Sequence, residues 1–180
     1  MKTVIAQAAV RDLADLNIEL LEQAVEVLSS IDDETYVRPA ELFDGQRVGG
    51  HIRHIVEFYE CLFEGVRTGV VDYAARRRDR LVETNRSAAI VRLASVCSQL
   101  YSESRLLNGA ELLVRPEDAA HGHFGSTGGR ELEAVASHTV HHFALISVLL
   151  RYFGLPVRGD FGVSKATLRY RASKAQAQAA

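Results

Sequence analysis

Several things are scarce in this chain of 180 residues, and each scarcity narrows what it does. There are two cysteines, Cys61 and Cys97. Two cannot build a disulfide framework, and both are expected as free thiols in a reducing cytoplasm. The formal net charge is only −2, too little to draw the chain to nucleic acid or anionic lipid. One basic run, RRRDR at 76–80, is interrupted by Asp79 and followed by Glu83, and reads as a solvated helix face. No apolar stretch reaches the roughly 18 residues of a membrane span. The opening MKTVIAQAAV has one lysine, and its apolar run is broken by Gln7 and stopped by Arg11 and Asp12, unlike a secretory signal. The expected location is the cytoplasm, with neither nucleic acid nor membrane as partner. No H-E-x-x-H occurs, so a zincin peptidase has no support. No glutamate stands three residues before His54, His138 or His142, which argues against the di-iron carboxylate site of ferritin-like bundles. No internal repeat is evident.

What is present is a core and a helical rhythm. Hydrophobic residues make up 47% of the chain and charged residues 24%, enough for one globular domain, expected over 1–170, with a disordered tail at 171–180. Four segments repeat apolar residues at three and four. The first runs from about Asp12 to Ser29, with a stripe of Leu13, Leu16, Leu20, Ala24, Val27 and Leu28. The second, about Val48 to Arg67, carries Ile52, Ile55, Val56, Tyr59, Leu62, Phe63 and Val66. Gly49 and Gly50 weaken its start but let another backbone or a bound group come close. A short helix is expected near 74–84. Ser87 is a candidate cap for the third main helix, about 88–104, with a stripe of Ile90, Leu93, Ala94, Cys97 and Tyr101. Residues 106–129 read as a loop or small hairpin. The fourth helix, about Arg130 to Phe153, is stopped by Gly154 and Pro156. The expected fold is all-α: a four-helix bundle with longer connections and an irregular C-terminal tail.

The histidines are unevenly placed. Five of seven fall in two predicted helices: His51 and His54, then His138, His141 and His142. Residues four apart share a helix face, about 6 Å from one another, so His138 and His142 can both reach one metal ion at roughly 2.0–2.1 Å. A third ligand must come from elsewhere, and the second helix offers His51 or His54. The run FALISVLLRYF after His142 is apolar nearly all round. Imidazoles at its edge face desolvation, which a metal or a carboxylate compensates. Cys61, seven after His54, shares its face and reads as a core residue rather than a fourth ligand. His121 and His123 read as loop residues.

Four stretches carry a resemblance: VGGHIRHIVEFYE at 48–60, VDYAARRRDRLVET at 71–84, RELEAVASHTVHHFALI at 130–146 and DFGVSKATLRY at 160–170. In these the chain resembles the DinB-like family of small metal-binding four-helix bundles. That family includes bacillithiol S-transferase-like proteins and is related to mycothiol-dependent maleylpyruvate isomerases. The resemblance covers much of residues 10–170, and most members of the matching branch lack an assigned reaction. It implies one divalent metal held by three histidines, two from the last helix and one from the second, with water in the open positions. Carried over, these are His138, His142 and His54. His51 fits the second-helix pattern less well and is the alternative, or a neighbour of the ligands. His141 is expected beside the pair. The resemblance also implies a homodimer formed through helix faces.

Three neutral imidazoles favour Zn(II), Ni(II) or another first-row ion over Mg(II) or Ca(II). Two roles are expected of such a site. In the first, an enzyme, the metal activates a low-molecular-weight thiol or water for transfer to, or hydrolysis of, a small substrate, with His51, His141 or Arg130 orienting it. In the second, a non-catalytic stress-response module, the metal is only held. An open coordination position beneath a polar pocket marks the first, and a closed four-ligand site marks the second.

Overall fold

The computed structural model describes residues 2–107, 110–116 and 122–179. The chain is mostly helical. Four long helices, α1 (Lys2–Ser29), α3 (Val48–Thr68), α5 (Arg86–Leu107) and α6 (Gly128–Tyr152), surround one apolar core. Helices α1 and α3 each pack on both α5 and α6. Shorter elements fill the connections: α2 (Asp33–Val37), β1 (Val70–Val71), α4 (Arg80–Thr84), β2 (Glu111–Val114) and β3 (Phe124–Thr127). A last helix, α7 (Lys165–Ala179), ends the chain. Among the described residues no helix is long and apolar enough to cross a membrane.

The second-helix stripe packs as its spacing dictates: Ile52, Ile55, Val56, Tyr59, Leu62 and Phe63 are all buried. On α5 the expected stripe holds in part: Leu93 is buried and Ile90 and Cys97 pack against the core, but Ala94 and Tyr101 do not. Ala89, Leu93, Val96 and Leu100 face the core, while Tyr101 is 72% exposed. That helix carries apolar residues on two faces, so period alone does not choose between them. Its cap also differs, because Asn85 Oδ1, not Ser87, accepts from the Ala88 N–H at 2.9 Å.

Three further expectations need correction. The fold is not purely α. Strands β2 and β3 pair antiparallel, in line with the hairpin reading of 106–129, and β1 joins β2 in parallel, pairing Val70 with Leu113 and Val71 with Val114. The two-residue strand β1 carries too little alternation to stand out in a sequence. The helix expected over 74–84 spans only Arg80–Thr84, capped by Asp79, so Arg76, Arg77 and Arg78 lie on the preceding loop rather than a helix face. The tail is not irregular: α7 is helical, though its described side chains are nearly all exposed. The segment before α7 explains DFGVS. Phe161 stacks on Phe143 with centroids 4.5 Å apart. Gly162, at φ +75°, lies so close to α6 that a Cβ would meet Ala144 N at 2.5 Å.

Two features set the position of α3. The first is Gly49, where a Cβ would lie 2.0 Å from the Glu83 carbonyl oxygen and 2.9 Å from Tyr36 Cε1. Only glycine lets α2, α3 and α4 meet this closely, and the Tyr36 hydroxyl donates to Val82 O across the junction at 2.6 Å. The second is a buried polar knot. Tyr59 Oη donates to Asn17 Oδ1 at 2.7 Å and lies 3.2 Å from Thr139 Oγ1, while Asn17 Nδ2 donates to Leu13 O and Leu132 O. Each group has a partner, as buried polar groups require, and the knot ties α1, α3 and α6 together one residue from His138.

Candidate metal centre

The centre forms where α3 lies along α6. His54 projects from α3, and His138 and His142 from successive turns of α6. Their Nε2 atoms converge. His54 Nε2 is 3.1 Å from His138 Nε2, which is 3.2 Å from His142 Nε2. All three ligand-capable nitrogens lie within 4.8 Å of one another, on half-buried side chains. Metal–nitrogen bonds of about 2.0–2.1 Å, at angles between octahedral and tetrahedral, set neighbouring nitrogens about 2.8–3.4 Å apart. Both nearest-neighbour spacings fall in that range. Three neutral rings facing one another cannot satisfy all their lone pairs by mutual hydrogen bonds. A cation at their centre meets every one, so the residues present fit a single metal ion.

The electrostatics keep these rings neutral. Burial, reinforced by Arg76, lowers the His54 pKa to about 4. Burial, reinforced by His141, lowers His138 to about 4. Burial, reinforced by the neighbouring histidines, lowers His142 to about 3. Neutral imidazole is the form that ligates. Stacking holds His138 in place: the Phe58 ring lies 3.7 Å from it, centroid to centroid, at 11°. Tyr73 stacks on Phe58 at 4.8 Å, and its hydroxyl donates to Glu131. Held by rings rather than by a polar neighbour, His138 Nδ1 is buried without a hydrogen-bond partner.

His54, not His51, joins the pair on α6. His51 sits behind it, with Nδ1 3.0 Å from His142 Nδ1 and Nε2 3.1 Å from Gln46 Oε1. A cavity of about 290 Å³ opens over this side, lined by Gln46, Gly50, His51, Arg53, His54 and His142. Arg53 is fixed by Glu83 at 2.6 Å. Cys61 is not part of the cluster. It lines a different cavity of about 450 Å³ with Glu60, Arg76 and Arg92, and burial pushes its thiol up to about 11.

Of the other expected neighbours, His141 lies beside the pair and the rest stand apart. His141 is exposed, with its ring edge-on to His142 at 5.2 Å. Arg130 is exposed in the first turn of α6, about 12 Å along the helix from His138. His123 is exposed in the loop, and His121 lies outside the described residues. Sequence reasoning missed Phe58 and Gln46. Phe58 was legible in principle, four residues after His54 on one face. Gln46 lies in a loop without periodicity and had no signal.

No family model matches this chain, and no solved structure matches it. Among curated proteins, FK506-binding protein 5 of Rhizopus delemar is 31% identical over 105 residues, which cover 56% of this chain and 27% of that protein. The chain thus spans about a quarter of the length of the curated relative it matches.

Proposed function

We propose that this chain is a metal-dependent enzyme of DinB-like type, in which His54, His138 and His142 hold one divalent transition ion, Zn(II) or Ni(II). One observation carries the reading: three neutral Nε2 atoms from two helices converge at metal-bridging distances beside an open cavity. When bound, such an ion lowers the pKa of a coordinated thiol or water and so supplies a nucleophile near neutral pH. The protein does the rest. The three rings present lone pairs on one side and leave the cavity side free. Phe58 fixes the plane of His138. Gln46, Arg53 and His51 offer polar contacts to a small substrate in the cavity. A low-molecular-weight thiol is the proposed co-substrate, and the reaction is its transfer to a small electrophile, or hydrolysis where water takes its place.

A non-catalytic metal-binding module uses the same ligands, but the open cavity beside them and the separate placement of Cys61 favour turnover. The proposal extends to a cytoplasmic homodimer joined through helix faces, which light scattering tests. The decisive experiment is elemental analysis of protein purified without a histidine tag, followed by a screen of small thiols against electrophiles. We expect about one ion per chain and its loss in a His138→Ala, His142→Ala variant. Equal metal content in that variant refutes the site.

A further inference from the structure

Gln46, His51 and His142 form a line of two hydrogen bonds that ends at the metal-facing nitrogen of His142. A neutral imidazole carries one N–H and one bare nitrogen. At the outer end, His51 Nε2 lies 3.1 Å from Gln46 Oε1, an atom that only accepts. The His51 proton therefore sits on Nε2, and its Nδ1 is bare. That bare nitrogen faces His142 Nδ1 at 3.0 Å, so His142 donates from Nδ1. His142 Nε2 is then left as a lone pair aimed into the cluster, 3.2 Å from His138 Nε2. Reversing the line, with a donor at position 46, sends a proton to His142 Nε2 and blocks ligation.

From this geometry we infer that Gln46 and His51 are positioning residues, a relay that selects the metal-binding tautomer of His142. The inference rests on the three-histidine reading above. The backbone prepares the outer end of the relay. After a 3-10 turn at Glu41–Phe43, Asp44 and Gly45 take left-handed φ of 52° and 72°. Ala40 and Gln46 then close a bridge, with Ala40 N–H donating to Gln46 O at 3.0 Å. The loop thus holds residue 46 five positions before His51, at the cavity edge. The relay also accounts for the closely spaced histidines of helix α3: His54 ligates, and His51 orients a ligand from the other helix. His138 has no such support, since its Nδ1 is unpartnered, so the choice of tautomer is imposed on His142.

The test uses the full, untagged chain with zinc(II) alone as the probe, in competition with a chromogenic chelator. Partners that orient a ligating histidine typically contribute about 10- to 100-fold in metal affinity. His51→Phe and Gln46→Met are expected to weaken zinc binding by about that factor, with no change in the melting temperature of the zinc-free protein. Gln46→Glu, which can accept but not donate, is expected to match or exceed the wild type. Long-range ¹H–¹⁵N spectra of the zinc-loaded wild type should show the His142 proton on Nδ1 and the His51 proton on Nε2. Wild-type affinity in both His51→Phe and Gln46→Met overturns the relay, as does a His142 proton on Nε2. Should His51→Phe fail to fold, the exposed Gln46 pair decides alone. Equal zinc affinity in wild type and His142→Ala would instead sink the three-histidine reading.

Discussion

Replacing Gly49 by alanine tests the junction that sets the start of α3, and with it the placement of His51 and His54. The added Cβ would lie 2.0 Å from the Glu83 carbonyl oxygen, 2.9 Å from Tyr36 Cε1 and 3.0 Å from the Glu83 carbonyl carbon. Two of these are backbone atoms, so no side-chain rotation relieves the overlap. Overpacking of this kind costs about 1–3 kcal/mol, and a backbone clash belongs at the upper end. Alanine recovers up to about 1 kcal/mol of helix propensity. The net expectation is a loss of about 2 kcal/mol. For a chain of this size that lowers the melting temperature by roughly 4–8 °C. Gly50 supplies the control. Nothing lies within 4 Å of the point a Cβ there would occupy, so Gly50→Ala is expected to be neutral or stabilising by up to about 1 kcal/mol. Urea titrations in the presence of a chelator remove any contribution from bound metal. If the two variants shift the midpoint in the same direction by the same amount, the close approach of α3 to α4 is wrong.

Tyr59→Phe leaves Asn17 Oδ1 without the hydroxyl that donates to it at 2.7 Å; a loss of about 1–3 kcal/mol is expected in the same titrations, and a neutral outcome would mean that the knot is dispensable. Cys61→Ala should leave the zinc content unchanged, because the thiol lines a different cavity; zinc loss on elemental analysis would place the thiol in the site. The zinc-free protein should weaken on acidification. His54 and His138 titrate at about 4 and His142 at about 3 when folded, against about 6.5 unfolded. Between those values the unfolded chain binds more protons, so stability is complete above about pH 6.5 and falls as the pH drops toward 4. Urea midpoints at pH 7 and pH 5 measure this, and an equal or higher midpoint at pH 5 contradicts it.

Much of this arrangement could be read from the letters. The stripe on α3 is unbroken, so Ile52 to Phe63 had one face to bury and did. His138 and His142 are four apart, and an α-helix places such residues together whatever surrounds it. Local spacing thus determined the long helices and two of the three rings of the cluster. Spacing within a helix says nothing about rotation against a neighbour, which is a matter of packing. That is why the stripe on α5 was only partly right, with Ala94 and Tyr101 misplaced and Ala89, Val96 and Leu100 missed: the rotation of the helix is set only when α1 and α3 press on it. Spacing alone left His51 and His54 open, because both lie on the same side of α3; the family resemblance favoured His54, and the approach of α6 is what brings that ring to the pair. Contacts between distant segments were equally beyond reach, among them Gln46 on His51, β1 on β2 and α4 on Gly49. Each joins residues whose separation along the chain carries no period, and each exists because the core brings their backbones together.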